Sequence, residues 1–162
     1  MNKINKEVYY VQNPALGAAI LWRFVCGYHQ EKKELVPFPL LFIVLPIIFR
    51  EDLRDTIRST QKNSGLSKVS EKLFKNKKVN ELYTINNTAI ELRRLSFDAI
   101  RIGIACGLFG VDMGTALVYP LTTTNKRLSV ETNKILTASE KLGSWCSEMT
   151  LTEISKWLKV RF

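Results

Sequence analysis

Residues 13 to 49 constrain the fold more than any other stretch, because they present apolar side chains in every direction. From Ala15 to Val25 the chain reads Ala-Leu-Gly-Ala-Ala-Ile-Leu-Trp-Arg-Phe-Val, with Arg23 the single charged residue. Asn13 offers a side-chain acceptor to the open N–H groups of a first turn, and Pro14 takes the first helical position, where a missing N–H costs nothing. A helix that is apolar all round must be covered all round. After the charged break Gln30-Glu31-Lys32-Lys33-Glu34, the run from Leu35 to Phe49 carries no charge. Together the two segments demand more cover than one small core supplies, so another protein is expected to complete it.

Lipid is the alternative cover, and the pattern argues against it. The uncharged run is about 15 residues long, short of the roughly 20 that span hydrocarbon. Pro37, Pro39 and Pro46 interrupt it, and Arg50, Glu51 and Asp52 close it. Arg23 in the middle of the first helix is costly in lipid. A membrane-associated, toxin-like protein is therefore the last of the readings considered.

A chain of 162 residues is expected to form a single domain, 1–162, long enough to bury about two-thirds of its surface without staples. The expected fold is mainly α. A helical core spans 13–110, and 111–162 add a small β-hairpin and two helices, a part with winged-helix-like order. The start, Met1 to Glu7, has no apolar stretch after its lysines, so no signal peptide is expected and the compartment is read as cytoplasmic. Cys26, Cys106 and Cys146 are odd in number, far apart and set among apolar neighbours. They are read as reduced thiols.

The net charge of +9 is unevenly spread: residues 50–80 hold nine Lys or Arg against four acids, whereas 81–121 hold three against four. A basic segment beside a nearly neutral core suits a phosphate-facing surface or a solubilising face. Lys68, Lys72, Lys75, Lys77 and Lys78 are the candidate phosphate or DNA contacts. No aromatic side chain is interleaved with them apart from Phe74, which falls in an apolar series, and this weakens a single-strand-binding reading.

Val8 to Val11 form an extended lead-in to the first helix. Pro37 and Pro39 fix an extended entry to a second helix, which Pro46 kinks or shortens. Residues 50–60 read as a mostly polar helix with Leu53 and Ile57 inward. After the break at 61–65, Leu66, Val69, Leu73 and Phe74 keep helical spacing in a short amphipathic helix. The longest helix is expected from about Asn80 to Leu108, on the stripe Leu82, Ile85, Ala89, Leu92, Leu95, Ala99, Ile102 and Cys106. Gly103-x-x-x-Gly107 is read as a close helix approach, and Gly110 as the left-handed terminator. These glycines lack the Gly-Lys-Ser/Thr of a phosphate loop and close a helix instead of opening one. Thr115 to Leu121 is the best strand, returning through Lys126-Arg127-Leu128. Ser129 caps a helix to about Cys146, and Thr150 to Leu158 form the last.

No constellation here meets the tests for an active site. His29 stands alone at the polar end of the first helix. Glu91 and Asp98 share a helix face, but Arg94 and Arg101 supply ordinary ion-pair partners. No His or Cys pair has metal-ligand spacing. A non-enzyme without metal or cofactor is expected.

Asn13-Pro14-Ala15-Leu16-Gly17-Ala18, then Leu21-Trp22-Arg23-Phe24-Val25-x-Gly27-Tyr28, then Pro37-Phe38-Pro39-Leu40-Leu41-Phe42-Ile43-Val44-Leu45-Pro46 carry a family likeness. So do Ser59-Thr60 before Ser64-Gly65-Leu66 and the closing Trp157-Leu158-x-Val160-Arg161. In this order and spacing the chain resembles the middle component of bacterial three-component ABC systems, the group that includes the small third subunit of Lamassu-type anti-phage defence. Phe38 between the prolines and Phe162 at the end depart from the pattern. The resemblance implies a non-catalytic subunit that bridges an SMC-like ABC ATPase, which senses DNA, and an effector, often a nuclease, whose release it helps control. Pro14, Leu16, Trp22, Arg23, Phe38 and Phe42 would then be the partner-binding residues, with DNA met through the complex. The competing reading is a stand-alone winged-helix-like DNA-binding protein with Lys126 and Arg127 on its wing.

Overall fold

The structure, a computed structural model, describes residues 13–75, 80–124 and 129–162. Helix α1 (Pro14–Lys32) begins where the Asn13 side chain accepts a hydrogen bond from Leu16 N at 2.9 Å, and ends where Lys33 turns left-handed. A short strand β1 (Val36–Pro37) and a 3-10 turn (Phe38–Leu40) lead into α2 (Leu41–Phe49), which continues through Pro46. Helix α3 (Glu51–Ser59) buries Leu53 and Ile57, and α4 (Gly65–Lys75) buries Leu66, Val69 and Leu73, as their spacing requires.

The expected long helix from Asn80 is three helices in succession: α5 (Asn80–Tyr83), α6 (Ile85–Glu91) and α7 (Arg93–Ala105). At Thr84 and Leu92 the hydrogen-bond ladder of one helix ends and that of the next begins. Thr88 N to Thr84 O at 3.0 Å opens α6, Leu92 N to Thr88 O at 2.9 Å closes it, and Ser96 N to Leu92 O at 2.8 Å opens α7. The stop lies at Gly107, not Gly110. Gly107 has φ +67°, its N–H reaches Ile104 O at 3.0 Å, and Leu108 N reaches Gly103 O at 2.9 Å. This pair of bonds is the Schellman closure. Gly103 makes room for the Phe109 ring, not for a neighbouring helix.

Gly110 lies inside a strand. β2 (Phe109–Asp112) pairs antiparallel with β3 (Leu117–Pro120), and β1 lies on the other side of β3, giving the order β1-β3-β2. Val118 sits opposite both Val36 and Val111. The partner of the predicted 115–121 strand is thus the preceding segment, while the return predicted through Lys126, Arg127 and Leu128 lies outside the described residues. The Asp112 side chain accepts from Gly114 N at 2.8 Å and so closes the hairpin turn. The hairpin draws on both sides of residue 110, and its third strand comes from the chain's first third.

Helix α8 (Val130–Cys146) lies along α1, and α9 (Leu151–Leu158) comes after it behind a capping box of Thr150 and Glu153. Buried Ser139 donates to Ile20 O at 2.8 Å. Gly27 and Gly143 allow the backbones to meet, since a Cβ on either would strike a carbonyl oxygen of the opposite helix. Helix α7 closes a second side of α1, with Gly17 set against Ala99.

This packing overturns the expectation that the opening third needs a second protein for cover. Ile20, Leu21, Phe24, Val25, Leu40, Leu41, Val44, Leu45 and Ile48 are fully buried by their own chain. α8 supplies the cover from more than a hundred residues downstream. No helix among the described residues is long and apolar enough to cross a membrane.

Candidate protein-docking groove

With the opening third sealed, Tyr83, Ile90, Phe97 and Phe162 are exposed together elsewhere. The start of α2, the outer side of α5 to α7 and the end of the chain bound an open groove of about 1070 Å³. On one wall, Phe38 and Phe42 meet edge to face at 5.6 Å between ring centroids, and Phe42 meets Phe97 in the same manner at 5.0 Å. Such edge-to-face pairs hold rings in a fixed geometry. The Arg93 guanidinium lies 5.9 Å from the Phe97 ring centroid. Along α5 to α7, Tyr83 is 56% exposed, Ile90 74% and Phe97 42%.

The other wall is the tail after α9. Lys159 turns left-handed, and Asn86 of α6 clamps the tail at this turn: its amide donates to Lys159 O at 3.0 Å and accepts from Arg161 N at 3.0 Å. The two hydrogen bonds use one side chain to fix two tail residues, so Lys159 and Arg161 have a set position on the rim. Three cations line the groove, Arg93, Lys159 and Arg161, and no Asp or Glu is among the described residues lining it.

Of the six residues that the sequence offers as partner contacts, the fold brings Phe38 and Phe42 into this groove and leaves the other four elsewhere. Trp22 is buried, and its indole N–H donates to Thr122 O at 2.6 Å. Arg23 is ion-paired with Glu140 of α8, so it ties the two longest helices together. Pro14 and Leu16 are half-buried at the start of α1, where Leu16 packs on the core. Tyr83, Ile90, Phe97 and Phe162 are the groove residues that sequence reasoning missed. The first three carry a signal: with Ile104, 44% exposed, they recur every seventh residue beside the core stripe.

Among the proposed phosphate contacts, Lys68 is paired with Glu71 at 2.8 Å. Lys72 donates to Ser59 O at 3.1 Å and Thr60 Oγ1 at 3.0 Å, binding α4 to the end of α3. Lys75 is exposed, and Lys77 and Lys78 lie outside the described residues. Lys141 reaches the same helix end, donating to Arg58 O and Thr60 O at 2.9 Å, and burial beside Lys72 and Arg58 lowers its pKa.

Burial pushes the Cys26 thiol up to about 11 and the Cys146 thiol to about 12, which keeps both protonated at neutral pH. Among the described residues, no three His, Cys, Asp or Glu side chains converge on a point where a metal ion could sit.

The model of the family described as ABC-three component (ABC-3C) system Middle Component 3 matches residues 1–162. The chain belongs to that family. No curated protein and no solved structure matches it significantly. As a middle component of a multi-subunit ABC system, the chain works beside protein partners. The groove, unlike the sealed opening helix, is a surface on which a middle component can meet one.

Proposed function

We propose that this middle component is the non-catalytic bridging subunit of an SMC-like ABC ATPase complex of the Lamassu anti-phage type. It links the DNA-sensing ATPase to an effector, a nuclease, and helps control the effector's release. The observation that carries this reading is the open aromatic groove on a chain whose core is otherwise closed. Contiguous exposed apolar surface of this kind marks interaction sites on soluble domains. The engagement of Lys68 and Lys72 with Glu71, Ser59 and Thr60 favours contact with DNA through the complex over contact by this chain alone.

The test is co-expression with the products of the neighbouring genes. The expected result on a sizing column is one species holding this chain, the ATPase and the effector, with ATP hydrolysis requiring the ATPase subunit alone. A chain that elutes by itself as a monomer, with the other proteins elsewhere, contradicts the bridging role.

A further inference from the structure

We propose that the groove takes an acidic amphipathic helix of a partner protein, seated along the line of Tyr83, Ile90 and Phe97. The proposal rests on the bridging reading and adds the chemistry of what is bridged. Three observations carry it.

The first is the period. Tyr83, Ile90, Phe97 and Ile104 are spaced by seven residues, or two helical turns, and all four are exposed. Tyr83, Ile90 and Phe97 all line the one groove, which keeps them on one surface through the steps at Thr84 and Leu92. An apolar line of period seven is what a second helix packs against, because its own side chains return at the same interval. From 83 to 97, the part that lines the groove, the line is roughly 20 Å long, enough for about two heptads of a partner.

The second is charge. Arg93, Lys159 and Arg161 line the groove, with no Asp or Glu among the described lining residues. Arg94 is exposed on α7 close to the same line. Asp98 is matched to Arg101 at 3.6 Å, and Glu91 is exposed outside the lining. An occupant with flanking Glu or Asp gains long-range attraction and register from this rim.

The third is what the same features exclude. A second copy would set one basic rim against another. The chain's own residues 1–12 carry Lys3 and Lys6 against Glu7, again the same sign as the rim.

The experiment uses the complex formed with the neighbouring gene products. A photo-crosslinking benzoyl-phenylalanine replaces Ile90 or Phe97, and crosslinked peptides are mapped by mass spectrometry. The expected crosslink falls on an amphipathic helix of a partner with acidic flanks. Ile90→Glu and Arg93→Glu are expected to weaken assembly by about tenfold or more, with thermal melting of the isolated chain unchanged. A Lys placed at the mapped acid should restore assembly with Arg93→Glu.

Crosslinks to a second copy, to nucleic acid or to a basic or non-helical segment overturn the proposal. So does a complex that forms with wild-type affinity despite Ile90→Glu and gives no crosslink at either position; there the bridging reading stands and the groove assignment falls. If the wild-type chain joins no complex at all, both fall together.

Discussion

Alanine at Gly27 or Gly143 is expected to lower the stability of the folded chain by about 3 kcal/mol, the upper end of ordinary overpacking losses. A Cβ on Gly27 would lie well inside contact distance of the Glu140 carbonyl oxygen, and one on Gly143 would strike the Phe24 carbonyl oxygen. Both obstacles are backbone, so no side-chain rotation relieves them. The helices must separate, and the separation loosens the Ser139–Ile20 hydrogen bond and the burial of Phe24 and Leu142. Urea unfolding of each variant reads the loss. The double substitution should cost less than the sum, because one displacement accommodates both methyl groups. Gly114→Ala on the hairpin turn is the control, with an expected change within about 0.5 kcal/mol. Wild-type stability in Gly27→Ala would mean that α1 and α8 do not cross at this point.

Glu140→Ala is expected to cost about 2 kcal/mol, less than for a fully buried pair because water still reaches the carboxylate. The side chains of Arg23 and Glu140 are 14% and 30% exposed, and the guanidinium lies 5.4 Å from the Trp22 ring centroid. Arg23 Nε finds no acceptor among the described residues, so the carboxylate is the chief compensation for a charge held mostly out of water. Losing it leaves that charge uncompensated. Replacing both partners, Arg23→Met with Glu140→Leu, should recover most of the stability, since an apolar pair of similar volume has no charge to strand. A double-mutant cycle by chemical denaturation measures the coupling. If Arg23 served chiefly as a partner contact, Glu140→Ala would leave stability unchanged and weaken only assembly.

Local signals are legible in the sequence. The Asn13 cap, the Ser129 cap and the inward sides of α3 and α4 depend on neighbouring residues alone, and they stand where side-chain chemistry puts them. Features made by distant pairing are not legible. Phe109 to Asp112 comes directly after a helical stripe and contains a glycine, so it passes for a helix end until β3 is seen beside it. The match of Gly27 with Gly143 joins positions more than a hundred residues apart, and neither glycine announces its partner. The misjudged cover has the same origin: the demand of α1 is local, while its supply, α8, is remote. The groove is half legible. Phe38 and Phe42 stand out in the proline-flanked run, but the seven-residue line of Tyr83, Ile90 and Phe97 lies beside a stronger core stripe that draws the periodicity to itself.

Hydrogen exchange, measured on the chain alone and within its assembled complex, tests most directly whether the groove and not the opening helix meets the partner. The expected result is slower exchange over 83–97 and 159–162 on assembly, with rates over 18–25 unchanged because that helix is already closed. Slower exchange confined to 18–25, with 83–97 unaltered, would contradict it.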